Sequence, residues 1–312
     1  MILSLVLASL PCLYWPEGLD SAAALQQVGI DRLCVPPERA AAWKDAGFTV
    51  VPLTEADLAS RETLAVPGIV AQARVASPTR APWITLNGWR FVSRPDGRYA
   101  YDLPAGKAAL AAAEAFAYEA DAVLKIDRSD LESLGRMLSF LSQVPSREMP
   151  AVADIGIMDD GTAALGEVMN LLVRRNLLFR VVRVPAPELR VNVRVGSPEY
   201  PKQETTDPSA FALKVRRQLT DAERTLRIYG SEVVIGRLTA QDGRARLHLV
   251  NYGGRDIAGL RIRLRGTYAQ GEAWVAGDGR VALQDHVVSE GASEFSLPRL
   301  GVYAVVDLPP AR

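Results

Sequence analysis

The chain has 312 residues, 48% of them hydrophobic and 23% charged, with 36 basic and 36 acidic side chains and a mean hydropathy of +0.04. At roughly 100 to 200 residues per domain, the length points to two or three domains. The balanced charge argues against a nucleic-acid partner, and no apolar run reaches the roughly 18 residues that span a membrane.

The opening MILSLVLASLP is as apolar as the core of a signal peptide. However, no Lys or Arg precedes Arg32 and the cleavage site is poorly formed, so either a first buried strand or a truncated signal is expected. From Leu10 to Thr54 the pattern alternates strand and helix. LPCLYWP, DRLCVPP and FTVVPLT read as strands around DSAAALQQVG and PERAAAWKDAG, with Gly29 and Gly47 as helix stops and Pro37 suited to a first turn. Such βα units imply a parallel sheet. Cys12 and Cys34 fall in the first two strands and are expected to be core thiols. A disulfide between neighbouring strands is geometrically possible, but two cysteines make no framework.

A strand is expected at Gly68 to Val75, followed by the aromatic stretch from Ala81 to Pro104. There Trp83 to Leu86 reads as a strand and Arg94 to Arg98 as a turn. Next come an alanine-rich helix from Lys107 to Ala120, the strand DAVLKID, and a helix opened by a Ser129/Glu132 capping box. After a proline-bounded break at Pro145 to Pro150, ADIGIMDDGT starts a strand, a turn and the helix Thr162 to Arg175. The strands LLFRVVRV and LRVNVRV and a helix from Ser209 to Leu219 follow. Beyond Leu226 the period becomes two: in RARLHLVNY and GLRIRLRG, arginines and His248 alternate with apolar residues, which predicts antiparallel strands with one wet face. Turns at Gly243, Gly253-Gly254 and Gly277 to Gly279 complete a small β-sandwich.

The aromatic stretch is the best ligand surface in the sequence. Aromatic planes beside amide and guanidinium donors suit sugar rings, which singles out Asn87, Trp89 and Arg90, with Trp15 extending the floor. Glycosidic cleavage needs two carboxyl groups across the bond. Glu17 in YWPEG and Asp127 in KID, both at strand ends, are the expected pair, with Asp159 and Asp160 as further candidates. Asp127 also precedes a helix and is suited to capping it. Lys125 is placed to hold a substrate hydroxyl or a carboxylate, a structural ion pair being the alternative. With only His248 and His286, both in the expected sandwich, no Ser-His-Asp triad or histidine metal site is available to the α/β part. No nucleotide, zinc or redox motif occurs, so no cofactor is expected.

The order of parts, together with ALAAAEAFAYEADAVLKID, ADIGIMDDGTAALGEVMNLLVRRNLLFRVV and RLHLVNYGGRDIAGLRIRLRG, resembles a glycoside hydrolase of the β-galactosidase type. The resemblance implies a (β/α) barrel or reduced barrel over 1–147 and an α/β amidotransferase-like segment, or the barrel's completion, over 148–221. An all-β sandwich over 222–312 would follow. Where such barrels carry an Asn-Glu pair, this chain has Asn87-Gly88, and residues before the proline break are few for eight strands. The expected function is saccharide or glycan binding at the strand C-termini, with hydrolysis left open. The competing class is a non-catalytic interaction or homo-oligomerisation module.

Overall fold

In a computed structural model, which describes residues 10–70 and 83–311, the chain divides into two compact units. The first is Met1–Gly68 with Pro95–Arg147, and the second is Ile69–Arg94 with Glu148–Arg312. The expectations for residues 1–9 and 71–75 lie outside the described residues.

The first unit is a parallel sheet of six strands: Cys12–Tyr14, Arg32–Val35, Thr49–Pro52, Glu62–Leu64, Arg98–Asp102 and Asp121–Lys125. Numbered by position in the chain, their spatial order is 3-2-1-6-5-4. The first and sixth strands pair through Cys12 with Val123 and Leu13 with Leu124. That is the cyclic order of a (β/α) barrel with one seam unpaired, between the third and fourth strands. A doubly wound sheet would run 3-2-1-4-5-6 instead. The strands of residues 151–195 do not enter this sheet.

Partners in register share a face. Leu13, Leu33, Leu64, Tyr101 and Leu124 lie on one side; Cys12, Tyr14, Cys34, Thr63, Ala100, Asp102, Val123 and Lys125 lie on the other. The first face is apolar. On this side Tyr101 hydroxyl donates to Glu114 (2.6 Å) of the helix Ala108–Ala117, whose Ala111, Ala112, Ala113 and Ala115 are wholly buried. Helix Leu131–Gln143 approaches Val28 so closely at Gly135 that a Cβ there would lie 2.1 Å from the Val28 carbonyl oxygen.

The second face carries a small apolar cluster of Cys12, Cys34, Leu53 and Val123. Cys12 and Cys34 form a disulfide, which corrects the expectation of free thiols: strand pairing brings their Cα atoms to 5.7 Å, within disulfide range. Helix Glu55–Ala59, capped by Thr54, links the third strand to the fourth, and its Leu58 packs on this cluster. This crossover therefore lies on the face that a closed barrel would fill with side chains.

The aromatic stretch is split between the units. Ile84–Thr85 is a strand, and Gly88–Ser93 is a helix of the second unit. The Ser129/Glu132 capping box does not form. Asp127 takes the cap of a single 3₁₀ turn at Arg128–Asp130, and Glu132 pairs instead with Arg136. The buried Asp130 carboxylate reaches out of its own helix to accept from the amides of Gly106, Lys107 and Ala108 at 2.7 to 3.0 Å, capping the alanine-rich helix.

The second unit holds a three-stranded parallel sheet, ordered Phe179–Val181, Ile155–Ile157, Val191–Val193. Helix Ala163–Arg174 is capped by Thr162. It is followed by an antiparallel sandwich of a four-stranded and a five-stranded sheet. Between them lie Leu247, Leu264, Phe295, Leu297 and Val306, all wholly buried. The strand Arg244–Asn251 has no wet face, contrary to its alternation. Arg246 and His248 are each 4% exposed, because Arg246 makes two 2.8 Å bonds to Asp307 and His248 Nδ1 lies 2.6 Å from Tyr303 hydroxyl. Each polar group is paired, which lets it be buried.

Candidate functional site

At the C-terminal end of the six-stranded sheet, its second face opens into a cavity of about 400 Å³. Tyr14, Glu55, Asp102 and Lys125 supply its polar groups, and Leu58, Ala59, Thr63, Ala100 and Tyr101 complete the wall. Asp102 and Lys125 are cross-strand partners at the last step of their pairing. Tyr14 closes the first strand one step beyond Leu13, which pairs with Leu124, and so sits at the level of Lys125. Glu55 comes from the inward crossover helix. Among the described residues, none of these four side chains makes an ion pair or an internal hydrogen bond. Partial burial, then the Glu55 and Glu38 carboxylates, raise the Tyr14 phenol above its ordinary value. It therefore remains a protonated donor at neutral pH. Two carboxylates, an ammonium and a phenol in a space of small-ligand size give acceptors and donors for a hydroxyl-rich molecule.

The carboxylates expected to act lie in the same unit and are already engaged. Glu17 accepts from Arg128 Nε at 2.7 Å and from its Nη2, making a two-pronged ion pair. Asp127 accepts from the Ser129 amide at 2.9 Å and the Ser129 hydroxyl at 2.6 Å. The bonds from the Ser129 side chain and then its amide hold Asp127 below the usual carboxylate range, the reverse of what a general acid requires. Trp15 is buried, donates from Nε1 to Ser21 Oγ at 2.8 Å, and has the Arg128 guanidinium 5.9 Å from its ring centre. Of the expected set, the structure puts Lys125 on the cavity wall.

Asn87, Trp89 and Arg90 belong to the second unit. Asn87 is wholly buried at the start of helix Gly88–Ser93. The Trp89 ring covers Gly166 of helix Ala163–Arg174, where an added Cβ would lie 2.8 Å from it, and Arg90 stacks 4.3 Å from the same ring. Asp159 accepts from Ser93 hydroxyl (2.8 Å) and the Gly161 amide, while Asp160 accepts from the Thr162 amide and hydroxyl. Both serve the turn before that helix.

Glu55 and Asp102 were not singled out by the sequence. The available signal for Asp102 was a charged residue closing the strand RYAYD, whose burial runs exposed, buried, buried, buried, exposed. Glu55 gave none, because it lies in a five-residue helix with no apolar period.

No protein-family model matches the sequence, and no curated protein matches it. Solved structures do. Alpha-L-fucosidase isoenzyme 2 from Paenibacillus thiaminolyticus aligns at 9% identity over 72% of this chain with a TM-score of 0.53. The chain spans 62% of that enzyme's length. A GH42 beta-galactosidase from G. stearothermophilus aligns at 9% identity over 77% of this chain and 53% of its own, with a TM-score of 0.38. A maltogenic alpha-amylase from Thermotoga neapolitana aligns at 10% identity over 94% of this chain and 98% of its own, with a TM-score of 0.26. At 9% identity, the fucosidase likeness is one of fold alone.

Proposed function

We propose that this protein binds a saccharide in the cavity at the C-terminal end of its six-stranded sheet and holds it without cleaving the glycosidic bond. One observation carries the reading: Tyr14, Glu55, Asp102 and Lys125 converge on a cavity of about 400 Å³, with no ion pair or internal hydrogen bond of their own among the described residues. Polar groups that line a cavity favour a ligand that pairs them, and this site gathers four, Tyr14 and Lys125 half-buried and Glu55 and Asp102 exposed. Sugar hydroxyls both donate and accept and can satisfy carboxylates and an ammonium together. The fold likeness to a fucosidase supports a ligand at this end of the sheet. The expected acid pair is engaged, Glu17 by Arg128 and Asp127 by Ser129, which supports holding over cleaving; turnover abolished by Asp102→Asn would make Glu55 and Asp102 the pair instead. Trp15 and the Glu17–Arg128 pair belong to the same end of the sheet and form its rim.

The test is calorimetry with neutral oligosaccharides on the wild type and on Asp102→Asn and Lys125→Met, alongside hydrolysis of aryl glycosides. Binding is expected to weaken at least tenfold, about 1.4 kcal/mol, in either variant, with no turnover. Turnover that Asp127→Asn abolishes would reinstate Glu17 and Asp127 as an acid pair. Unchanged binding in both variants would move the ligand elsewhere, and absence of any saccharide binding would leave the interaction module as the function.

A further inference from the structure

The disulfide and the cavity of the first unit share one wall. Neighbours in register run Asp102, Lys125, Tyr14, Cys34 across the fifth, sixth, first and second strands. Cys34 therefore stands in the row that carries three of the cavity's four polar groups, directly beside Tyr14. Cys12 lies one row lower on the same face, two residues before Tyr14. Its bond to Cys34 ties the cavity row to the row beneath it.

Two contacts carry this bond to the cavity. Tyr14 and Leu58 pack against the cluster of Cys12, Cys34, Leu53 and Val123, and both also line the cavity. Leu58 belongs to the helix Glu55–Ala59, which places Glu55 on the cavity wall. A helix of five residues holds its shape in water only through tertiary packing, and Leu58 supplies packing on the disulfide cluster. Cys12 and Cys34 are buried, as are Leu53 and Val123, whereas Tyr14 and Leu58 are half-buried. Once the bond opens, the two thiols need van der Waals separation. The members of the cluster with room to yield are Tyr14 and Leu58.

We infer that the Cys12–Cys34 disulfide is a redox switch on the cavity. Closed, it holds Tyr14 and Glu55 in place for a ligand; opened by a dithiol reductant, it releases both, and the cavity loses affinity while the sheet stays folded. In the reduction, one thiolate of the reductant attacks a cystine sulfur and the S–S bond breaks. The reductant's second thiol then attacks the mixed disulfide and the reductant leaves as a cyclic disulfide, so two electrons and two protons pass to Cys12 and Cys34. Asp102 and Lys125 are held by the pairing of the fifth and sixth strands and keep their places. The effect on affinity rests on the cavity being a ligand site, but the release of Tyr14 does not. By linkage, a ligand that prefers the closed form makes the bond harder to reduce by the same factor.

The test compares the full chain before and after dithiothreitol, with thiol alkylation and mass spectrometry reporting the state of Cys12 and Cys34 and circular dichroism reporting the fold. Tyr14 is followed by ultraviolet phenol titration, as the difference between the wild type and Tyr14→Phe in each state. In the oxidised protein, burial and then the Glu55 and Glu38 carboxylates raise the Tyr14 phenol; on reduction its titration is expected to fall toward the ordinary value. Calorimetry with malto-, cello- and xylotetraose should show at least tenfold weaker binding in the reduced protein and in Cys12→Ser/Cys34→Ser. Leu58→Ala, which keeps the bond but frees the helix, should weaken binding in the oxidised state. An unchanged Tyr14 titration, equal saccharide affinity in the two states, or unfolding on reduction would each overturn the inference. A shifted Tyr14 titration with no tetraose bound in either state would support the switch and remove saccharide binding as the function.

Discussion

The sandwich and the six-stranded sheet treat their two faces differently. In the sandwich, Leu247, Ile262, Phe295 and Val306 are wholly buried between two sheets that cover each other. The parallel sheet covers one face with helices such as Ala108–Ala117. On the other it keeps only a cluster around Cys12 and Cys34, beyond which Tyr14, Asp102 and Lys125 line a cavity. A closed core maximises burial and leaves nothing for a ligand, whereas a barrel-ordered sheet with an open seam gives up burial and keeps polar groups accessible. The region that stabilises least is the region that can bind.

Truncation at the two cores should separate them most sharply. Phe295→Ala, at a site of zero exposure, is expected to cost about 3 to 5 kcal/mol. Leu58→Ala, on the half-filled face, should cost clearly less, and urea midpoints of the two variants measure the difference. Equal losses would show that the inner face is packed as tightly as the sandwich. Next in size is the disulfide. Replacing Cys12 and Cys34 by Ala opens a loop of sequence separation 22, and about 3 kcal/mol should be lost in urea unfolding. The same loss should follow reduction of the wild type. Third, Asp130→Ala removes one carboxylate from three backbone amides and should cost roughly 2 to 3 kcal/mol, while Asp130→Asn should recover part of it.

The smallest effect is a pH dependence confined to the sandwich. Burial, then Arg237 and Arg246, hold His248 well below its ordinary value of 6.5. Below that pH the unfolded chain binds a proton that the folded chain refuses, so stability is full above about 6.5 and declines on acidification. The slope from this group is at most about 1.4 kcal/mol per pH unit. Urea midpoints at neutral and mildly acidic pH should show the decline, and His248→Gln should flatten it.

The βα units before Thr54 and the two-residue period after Leu226 were legible because apolar spacing alone determines them. The strand Glu62–Leu64 was not, being three residues with one buried side chain. Nor was the cavity. Asp102 and Lys125 meet only because the fifth and sixth strands pair in one register, and Glu55 joins them only because its crossover helix turns inward. Glu17 and Asp127 were legible as carboxylates at strand ends, but their engagement by Arg128 and Ser129 depends on side-chain geometry that spacing does not encode. His248 was misread as wet because alternation cannot reveal a buried pairing partner such as Tyr303.

The chain enters the second unit at Ile69, returns at Pro95, and leaves the first unit for good after Arg147. During synthesis, Trp89 therefore emerges well before Gly166, the surface it covers, while the fifth and sixth strands must still arrive before the first sheet can assemble. Neither unit is a contiguous stretch of translated chain. An early ribosome-bound fragment holds an incomplete sheet and an orphaned tryptophan helix, so maturation has to wait for the downstream half.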